Sequence, residues 1–300
     1  METKQRSAYY YGLAAIFFWS TIATAFSLAL DQTSIWMLMF GASLIATLSL
    51  LVILSINRQL GAAFRITRRQ VFHSAILGFI NPFFYYYLLL NAYKLLPAQE
   101  ALVLNYIWPI SLVMLSIPLL RQKIGWKSIL FISLSFLGVM IIATGGKLSD
   151  LALSSLKGDL YAIFSSVAWA LYWIINMKDH REEASKLLLN FLFGTGYILV
   201  ALWVSEPFVI PGWKGIAGIA WVGLFELGIT FYFWLKALSL SPRTDSISGL
   251  VYLSPFISLM FISLILGEKI EWSTSAGLVF ILSGIILNSR FGGIKATGND

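Results

Sequence analysis

Runs of about 20 apolar residues recur along this chain from Tyr9 almost to its end, and only a bilayer stabilises many such runs in succession, since a helix of about 20 residues crosses its hydrocarbon core. Ten such spans can be drawn, at 8–30, 34–56, 71–93, 98–120, 128–145, 158–177, 187–204, 215–235, 246–266 and 273–290. They are too long and too continuous for the strands of a membrane barrel. The polar stretches between them are too short for a soluble domain. Composition agrees: 58% of the 300 residues are hydrophobic and 12% are charged, about half the charged share of ordinary soluble domains. The expected fold class is therefore an all-α membrane protein with ten transmembrane helices. The charged opening METKQRS runs directly into the first apolar stretch with no small-residue cleavage site, and reads as the start of a helix rather than a removable signal.

Basic residues are distributed unevenly between alternate loops. With the N-terminus inside, the inner segments hold 16 Lys and Arg; the outer loops hold five, Lys94, Lys147, Lys157, Lys214 and Lys269. Positive charge stays on the cytoplasmic side, so both termini are expected in the cytoplasm of a cell, a bacterial inner membrane being the natural setting. The net charge of +7 lies in these loops, so it points to the bilayer as partner, not to nucleic acid. Absence of cysteine excludes disulfides and thiolate chemistry. No phosphate-binding Walker loop, HExxH, GxSxG or clustered aspartates occur, so ATP hydrolysis, an intramembrane protease, a metalloenzyme and a prenyl transferase find no support. No cofactor is expected.

The chain also repeats itself. NAYKLLPAQEALVLNYIWP (91–109) resembles KALSLSPRTDSISGLVYLSP (236–255), with Pro97 against Pro242, 145 positions apart. One residue is then inserted, and RQKIGW (121–126) matches GEKIEW (267–272), with Trp126 against Trp272 and Gly138 against Gly284. Equivalent positions are five spans apart, an odd number, so the second half is inverted relative to the first. The expected halves are 1–146 and 147–300. Inverted repeats with a shared site between them are a transporter architecture, since each half gates one side of the membrane.

Three groups of residues carry candidate chemistry. Glu226 is the one acid in the middle of a span, about twelve residues into 215–235; Glu100, Asp159 and Asp245 lie near span ends. A charged carboxylate at that depth is costly and faces protein or a water-filled cavity. It suits a proton carrier, a partner for a substrate amine, or a protonated hydrogen-bonding group between helices. Aromatic residues away from the interfaces (Trp19, Tyr86, Trp108, Trp169, Tyr172, Tyr232 and Tyr252) either line a cavity or pack helices; Trp36, Trp126, Trp213 and Trp272 sit at span ends, as an interfacial belt does. Polar residues inside spans include Ser20, Thr21, Thr24, Asn81, Asn91 and Asn105. Asn105 stands out because Pro109, four residues on, removes the hydrogen bond that its carbonyl would accept. Pro255 places a similar defect at Val251. His73 and His180 read as isolated. No Lys or Arg lies in mid-span, which disfavours an anionic substrate.

The segment LGEKIEWSTSAGLVFILSGIIL (266–287) resembles the last helix pair of the drug/metabolite transporter superfamily, in its ten-helix EamA branch. FFWSTIATAF (17–26) and GITFYFWLKALSLSP (228–242) match the same pattern, and FWST (18–21) with NYIWP (105–109) look like the bacterial aromatic amino acid exporters. One departure is Gln122 where the second repeat has Glu268. The resemblance implies ten helices about a central site and alternating access. It makes a secondary exporter of small amphipathic metabolites, amino acids foremost, the leading expectation, with proton coupling open. Its candidate substrate contacts are Trp19, Ser20, Tyr86, Asn105, Trp108, Trp169, Tyr232 and Tyr252, with Glu226 for proton coupling or amine binding. Transport of nucleotide sugars or phosphorylated metabolites, and a scaffold or lipid-carrier role, are the alternatives. The expected partners are a small-molecule substrate and lipid, for a monomer or homodimer.

The charge asymmetry makes a direct prediction. Because the chain has no native cysteine, single cysteines at Ser7 and Ala296 report topology without background. Both are expected to resist an impermeant thiol reagent in intact cells. Labelling of both from outside reverses the orientation; labelling of one contradicts an even number of spans.

Overall fold

A computed structural model describes residues 2–22, 25, 29, 30, 32–96, 104–147, 155–254, 256, 257, 260, 261 and 272–292. Thr24, Pro97, Glu100, Pro255, Glu268, Lys269 and Lys295 lie outside the described residues. Among those described, regular structure is entirely helical, and helix occurs at each of the ten expected spans. Five helices are long and apolar enough to cross a bilayer unaided: Ile35–Ile56, Arg68–Ala92, Leu156–Lys178, Glu183–Ser205 and Trp213–Leu240. Shorter apolar helices at Trp108–Leu120, Trp126–Ile142 and Ser275–Asn288 belong to the fourth, fifth and tenth spans. The chain is a multi-pass all-α membrane protein.

Helix starts follow local capping chemistry. Ser34 accepts the Met37 amide at the head of the second span, and Thr67 forms a reciprocal capping box with Gln70 at the third. Ser155 and Glu182 cap the sixth and seventh. The Glu182 cap starts the seventh helix at Glu183, four residues before the boundary drawn from hydropathy. That difference draws Lys186 out of the solvated loop where its charge would place it. It is 2% exposed, and its Nζ donates to the carbonyls of Asn176 and Asp179 at 2.8 and 2.7 Å. A cation there bonds the free carbonyls at the end of the sixth helix.

Outward faces carry large apolar side chains, such as Leu48, Val52, Ile56, Trp203 and Val204, as lipid-facing surfaces do. Trp126, Trp213 and Trp272, read as interfacial, are 69%, 76% and 70% exposed at helix starts; Trp36 is partly buried. The fifth and tenth spans lie along each other through small residues. A methyl on Gly138 would fall 2.5 Å from the Gly277 carbonyl, and Ser135 Oγ donates to the Ile281 carbonyl at 3.1 Å. Close backbone approach of this kind is how helices associate where the surrounding lipid is as apolar as the helices.

Among the described residues, the third, fourth and eighth spans are interrupted in their middle or first turns. The third kinks within Phe79–Phe84, where Asn81 is extended at φ −151° and ψ 127°. The eighth widens into a π-helical turn at Gly223–Gly228, where Glu226 sits. The fourth turns at 106–107 before Trp108–Leu120, with Pro109 in its first turn. Gly78 precedes the third-span break and presses on the seventh span, so a Cβ there would stand 2.3 Å from the Asn190 carbonyl and 2.8 Å from the Gly194 nitrogen.

Gly78→Ala is therefore expected to destabilise the protein by about 1–3 kcal/mol, because backbone must shift. Gly196→Ala, in the seventh helix with open space around it, is expected to stabilise by about 0.5–1 kcal/mol. Thermal unfolding of the purified variants checks the pair, and an equal response from both removes the close-approach argument.

Candidate functional site

Four indoles from four spans meet in a closed ring. Trp19 lies 6.0 Å from Trp169 and 5.1 Å from Trp234, and Trp108 lies 6.1 Å and 5.6 Å from the same two, measured between ring centroids. Tyr85 packs against Trp169 in a tilted arrangement, 4.4 Å between centroids, and Trp173 and Phe231 extend the cluster behind it. Trp108, Trp169 and Trp234 are buried, and Trp19 is partly so. The indole N–H groups of Trp169, Trp173 and Trp234 have no hydrogen-bond partner among the described residues. A buried donor of this type normally finds one.

The acid sits directly beside this ring. Glu226 is 9% exposed; its Oε1 accepts the Tyr86 hydroxyl at 2.9 Å, and its backbone carbonyl accepts Trp19 Nε1 at 3.3 Å. The π turn makes the second contact available, because the widened turn leaves carbonyls that the regular ladder does not take. The Phe225 carbonyl is taken up in the same way by the Thr230 hydroxyl at 2.5 Å. Beside the pair lies an apolar pocket whose walls include Leu38, Met39, Ala42, Pro82, Tyr86 and Leu227.

Sequence reasoning singled out nine site residues, and the structure brings five of them together: Trp19, Tyr86, Trp108, Trp169 and Glu226. The other four lie differently. Ser20 is buried and donates back to the Ile16 carbonyl at 2.7 Å. Asn105 Nδ2 donates to Ser165 Oγ at 3.0 Å, joining the fourth and sixth spans. Tyr252 is fully buried against Phe136, 6.4 Å between rings. Tyr232 packs beside Phe233, away from the ring. Trp234 was missed, and helix periodicity carries the signal: Glu226, Thr230 and Trp234 recur every four residues on one face, whereas Tyr232 points elsewhere.

A polar cluster lies at the end expected to be cytoplasmic. Asp179 is bridged by Arg181 at 2.5 Å, and Arg181 Nη2 also donates to Ser74 Oγ of the third span at 2.8 Å. His73, read as isolated, stands 3.5 Å from the Asp179 carboxylate. Burial pushes the Asp179 carboxyl up, but the hydrogen bonds and charge of Arg181 outweigh it and hold the group below its ordinary value. Lys236 pairs with Glu183 at 3.1 Å, tying the eighth span to the seventh.

Comparison with known proteins places this geometry. The model of the EamA-like transporter family matches residues 6–144 and 156–290. An uncharacterized transporter of Clostridium kluyveri is 28% identical over 176 residues, 57% of this chain and 56% of that one; the chain thus spans little more than half of that relative. The aromatic amino acid exporter YddG of Ancylobacter novellus is 26% identical over 235 residues, 76% of this chain and 78% of the exporter. The S-adenosylmethionine uptake transporter of Rickettsia prowazekii is 26% identical over 190 residues, 62% of this chain and 61% of that one. A solved crystal structure superposes with a TM-score of 0.83 at 20% identity, covering 96% of this chain and 98% of the other; at that identity it speaks for the fold alone.

The Tyr86–Glu226 bond is testable by itself. Tyr86→Phe leaves a buried carboxyl without its donor, and Glu226→Leu leaves a buried phenol without its acceptor. Each is expected to destabilise, and the double variant by less than their sum, with a coupling of about 1 kcal/mol. Unfolding of the four proteins measures it, and strict additivity means the bond does not hold the two spans.

Proposed function

The chain belongs to the EamA-like transporter family, and from that premise we propose that it is a secondary exporter of small amphipathic metabolites, aromatic amino acids foremost, working by alternating access. The observation that carries this reading is the Glu226–Tyr86 pair set against four indoles. Aromatic faces accept a planar ring by stacking and a cation by its charge. A carboxylate at the same place complements an ammonium. An amino acid with an aromatic side chain presents both groups. The exporter relative supports that chemistry at 26% identity.

In this reading the indoles, in mutual contact here, part to admit the substrate, and each inverted repeat closes one side in turn. Glu226 takes the substrate ammonium when ionised and a proton when not, so ligand and proton compete for one carboxylate. The expected setting is a cell membrane with both termini cytoplasmic, as monomer or homodimer. The uptake relative gives a second reading: S-adenosylmethionine also combines an amino acid, a planar base and a positive charge, and the same groups complement it.

Purified protein in liposomes decides between them. Counterflow of radiolabelled phenylalanine, tryptophan and S-adenosylmethionine is to be measured with and without a pH gradient. Transport of the aromatic amino acids, lost by about tenfold or more in Trp108→Ala at normal membrane abundance, is expected. Glu226→Gln is expected to retain exchange but lose its acceleration by the gradient. Wild-type rates and pH dependence in Glu226→Gln remove the acid from the mechanism, and transport of none of the three compounds overturns the substrate class.

A further inference from the structure

The helix breaks in the third and eighth spans fall at equivalent positions of the two repeats. Asn81 and Glu226 are 145 positions apart, the separation that pairs Pro97 with Pro242. Each lies inside a break of its helix, the kink of Phe79–Phe84 in one repeat and the π turn of Gly223–Gly228 in the other. Packing keeps the same register. Gly78 presses on Asn190 of the seventh span, and Gly223 presses on Ile45 of the second; Gly78 and Gly223 are 145 apart, and so are Ile45 and Asn190. The residues that follow the two polar groups, Pro82 and Leu227, line one and the same apolar pocket. Asn81 and Glu226 thus stand at equivalent places in opposite repeats, each one residue before a wall of that pocket.

They differ in how they are satisfied. Glu226 holds the Tyr86 hydroxyl. The residue equivalent to Tyr86 in the second repeat is Phe231, which has no hydroxyl to offer Asn81. Asn81 is 0% exposed, and among the described residues neither its Nδ2 nor its Oδ1 has a hydrogen-bond partner. A fully buried side-chain amide with both ends open is costly and uncommon, most of all in a membrane protein, where hydrocarbon supplies no substitute. Helix packing does not explain it, because packing polar residues are kept for the bonds they make.

We infer that Asn81 is a second polar contact of the transport site, the first repeat's counterpart of Glu226, and that its amide hydrogens take the carboxylate of a zwitterionic substrate whose ammonium faces Glu226. The assignment rests on the transport reading above and adds to it the group that distinguishes an amino acid from an amine. An amide is the right donor for this place. It bonds a carboxylate without introducing a fixed cation into the membrane, and it leaves the acid of the other repeat free to choose the opposite end of the ligand. The zwitterion then lies across the pseudo-symmetry axis with one charged end on each repeat.

The test is equilibrium binding of phenylalanine and of phenylalaninamide, which keeps the ammonium and lacks the carboxylate, to full-length purified protein. Asn81→Asp keeps the shape of the side chain and sets an acceptor where a donor stood. It is expected to weaken phenylalanine by about tenfold or more relative to the wild type, while phenylalaninamide holds or gains. Asn81→Leu guards against misfolding of the charged variant: it removes an unpaired amide, folds at least as well as the wild type, and is expected to bind the two compounds nearly alike. Either folded variant keeping the wild-type ratio of the two affinities overturns the assignment of Asn81 and leaves the transport reading standing. A wild-type protein that binds neither compound overturns the amino-acid reading first, and this assignment with it.

Discussion

Hydrocarbon offers no hydrogen bonds, so every backbone amide and carbonyl within the bilayer must be paired inside the protein. Helices are the response of this chain to that constraint, and among the described residues polar chemistry gathers where the helical ladder fails. The break at Phe79–Phe84 holds Asn81, the turn at 106–107 lies between Asn105 and Trp108, and the break at Gly223–Gly228 holds Glu226. Each failure needs local repair. Thr230 and Trp19 provide it in the eighth span by taking the Phe225 and Glu226 carbonyls. The repair by Trp19 ties a wall of the aromatic ring to the backbone of the acid, so the position of the indole and of the carboxylate are set together.

Inverted duplication adds a second constraint. Two halves with one ancestral pattern place equivalent residues on opposite sides of an axis, and a ligand on that axis meets both. A symmetric site would suit a symmetric ligand. Here the equivalents have diverged, to Asn81 and Glu226, and to Tyr86 and Phe231. With Asn81 and Glu226 assigned as proposed, the site has a polar sense, an amide from one repeat facing a carboxylate from the other. Divergence at the break, with packing conserved around it at Gly78 and Gly223, is what a scaffold under steric constraint and a site under chemical constraint each require.

Much of this was legible in the sequence because two of its signals are strong in membrane proteins. Long apolar runs mark spans through the cost of burying polar backbone and side chains, and all ten coincide with helix among the described residues. The isolation of Glu226 in its span was equally plain, since one acid among some twenty apolar residues has no surface to escape to. Side-chain direction was less legible. Tyr232 and Trp234 are two positions apart, and only the helical phase from Glu226 tells them apart. The π turn at Gly223–Gly228 carries no proline to announce it, whereas Pro82 marks its counterpart. Lys186 was hidden for a related reason: a cap by Glu182 extends the helix past the hydropathy boundary, and the long lysine stem reaches back to carbonyls of the preceding helix.

The aromatic ring and the acid also explain why the site tolerates so few charges. A fixed cation and anion buried together would each lose hydration, and their attraction returns that loss only in favourable geometry. One carboxylate bonded to a phenol is less demanding, because it is neutral when protonated and still hydrogen-bonded. Indole faces contribute attraction for a cation without carrying any net charge of their own. In the proposed transport reading, a substrate that brings its own ammonium completes a charge pair that is absent without it, so the empty site need not bear two buried charges. Asp179 with Arg181, and Lys236 with Glu183, are charged residues paired with each other, the second pair joining the eighth span to the seventh.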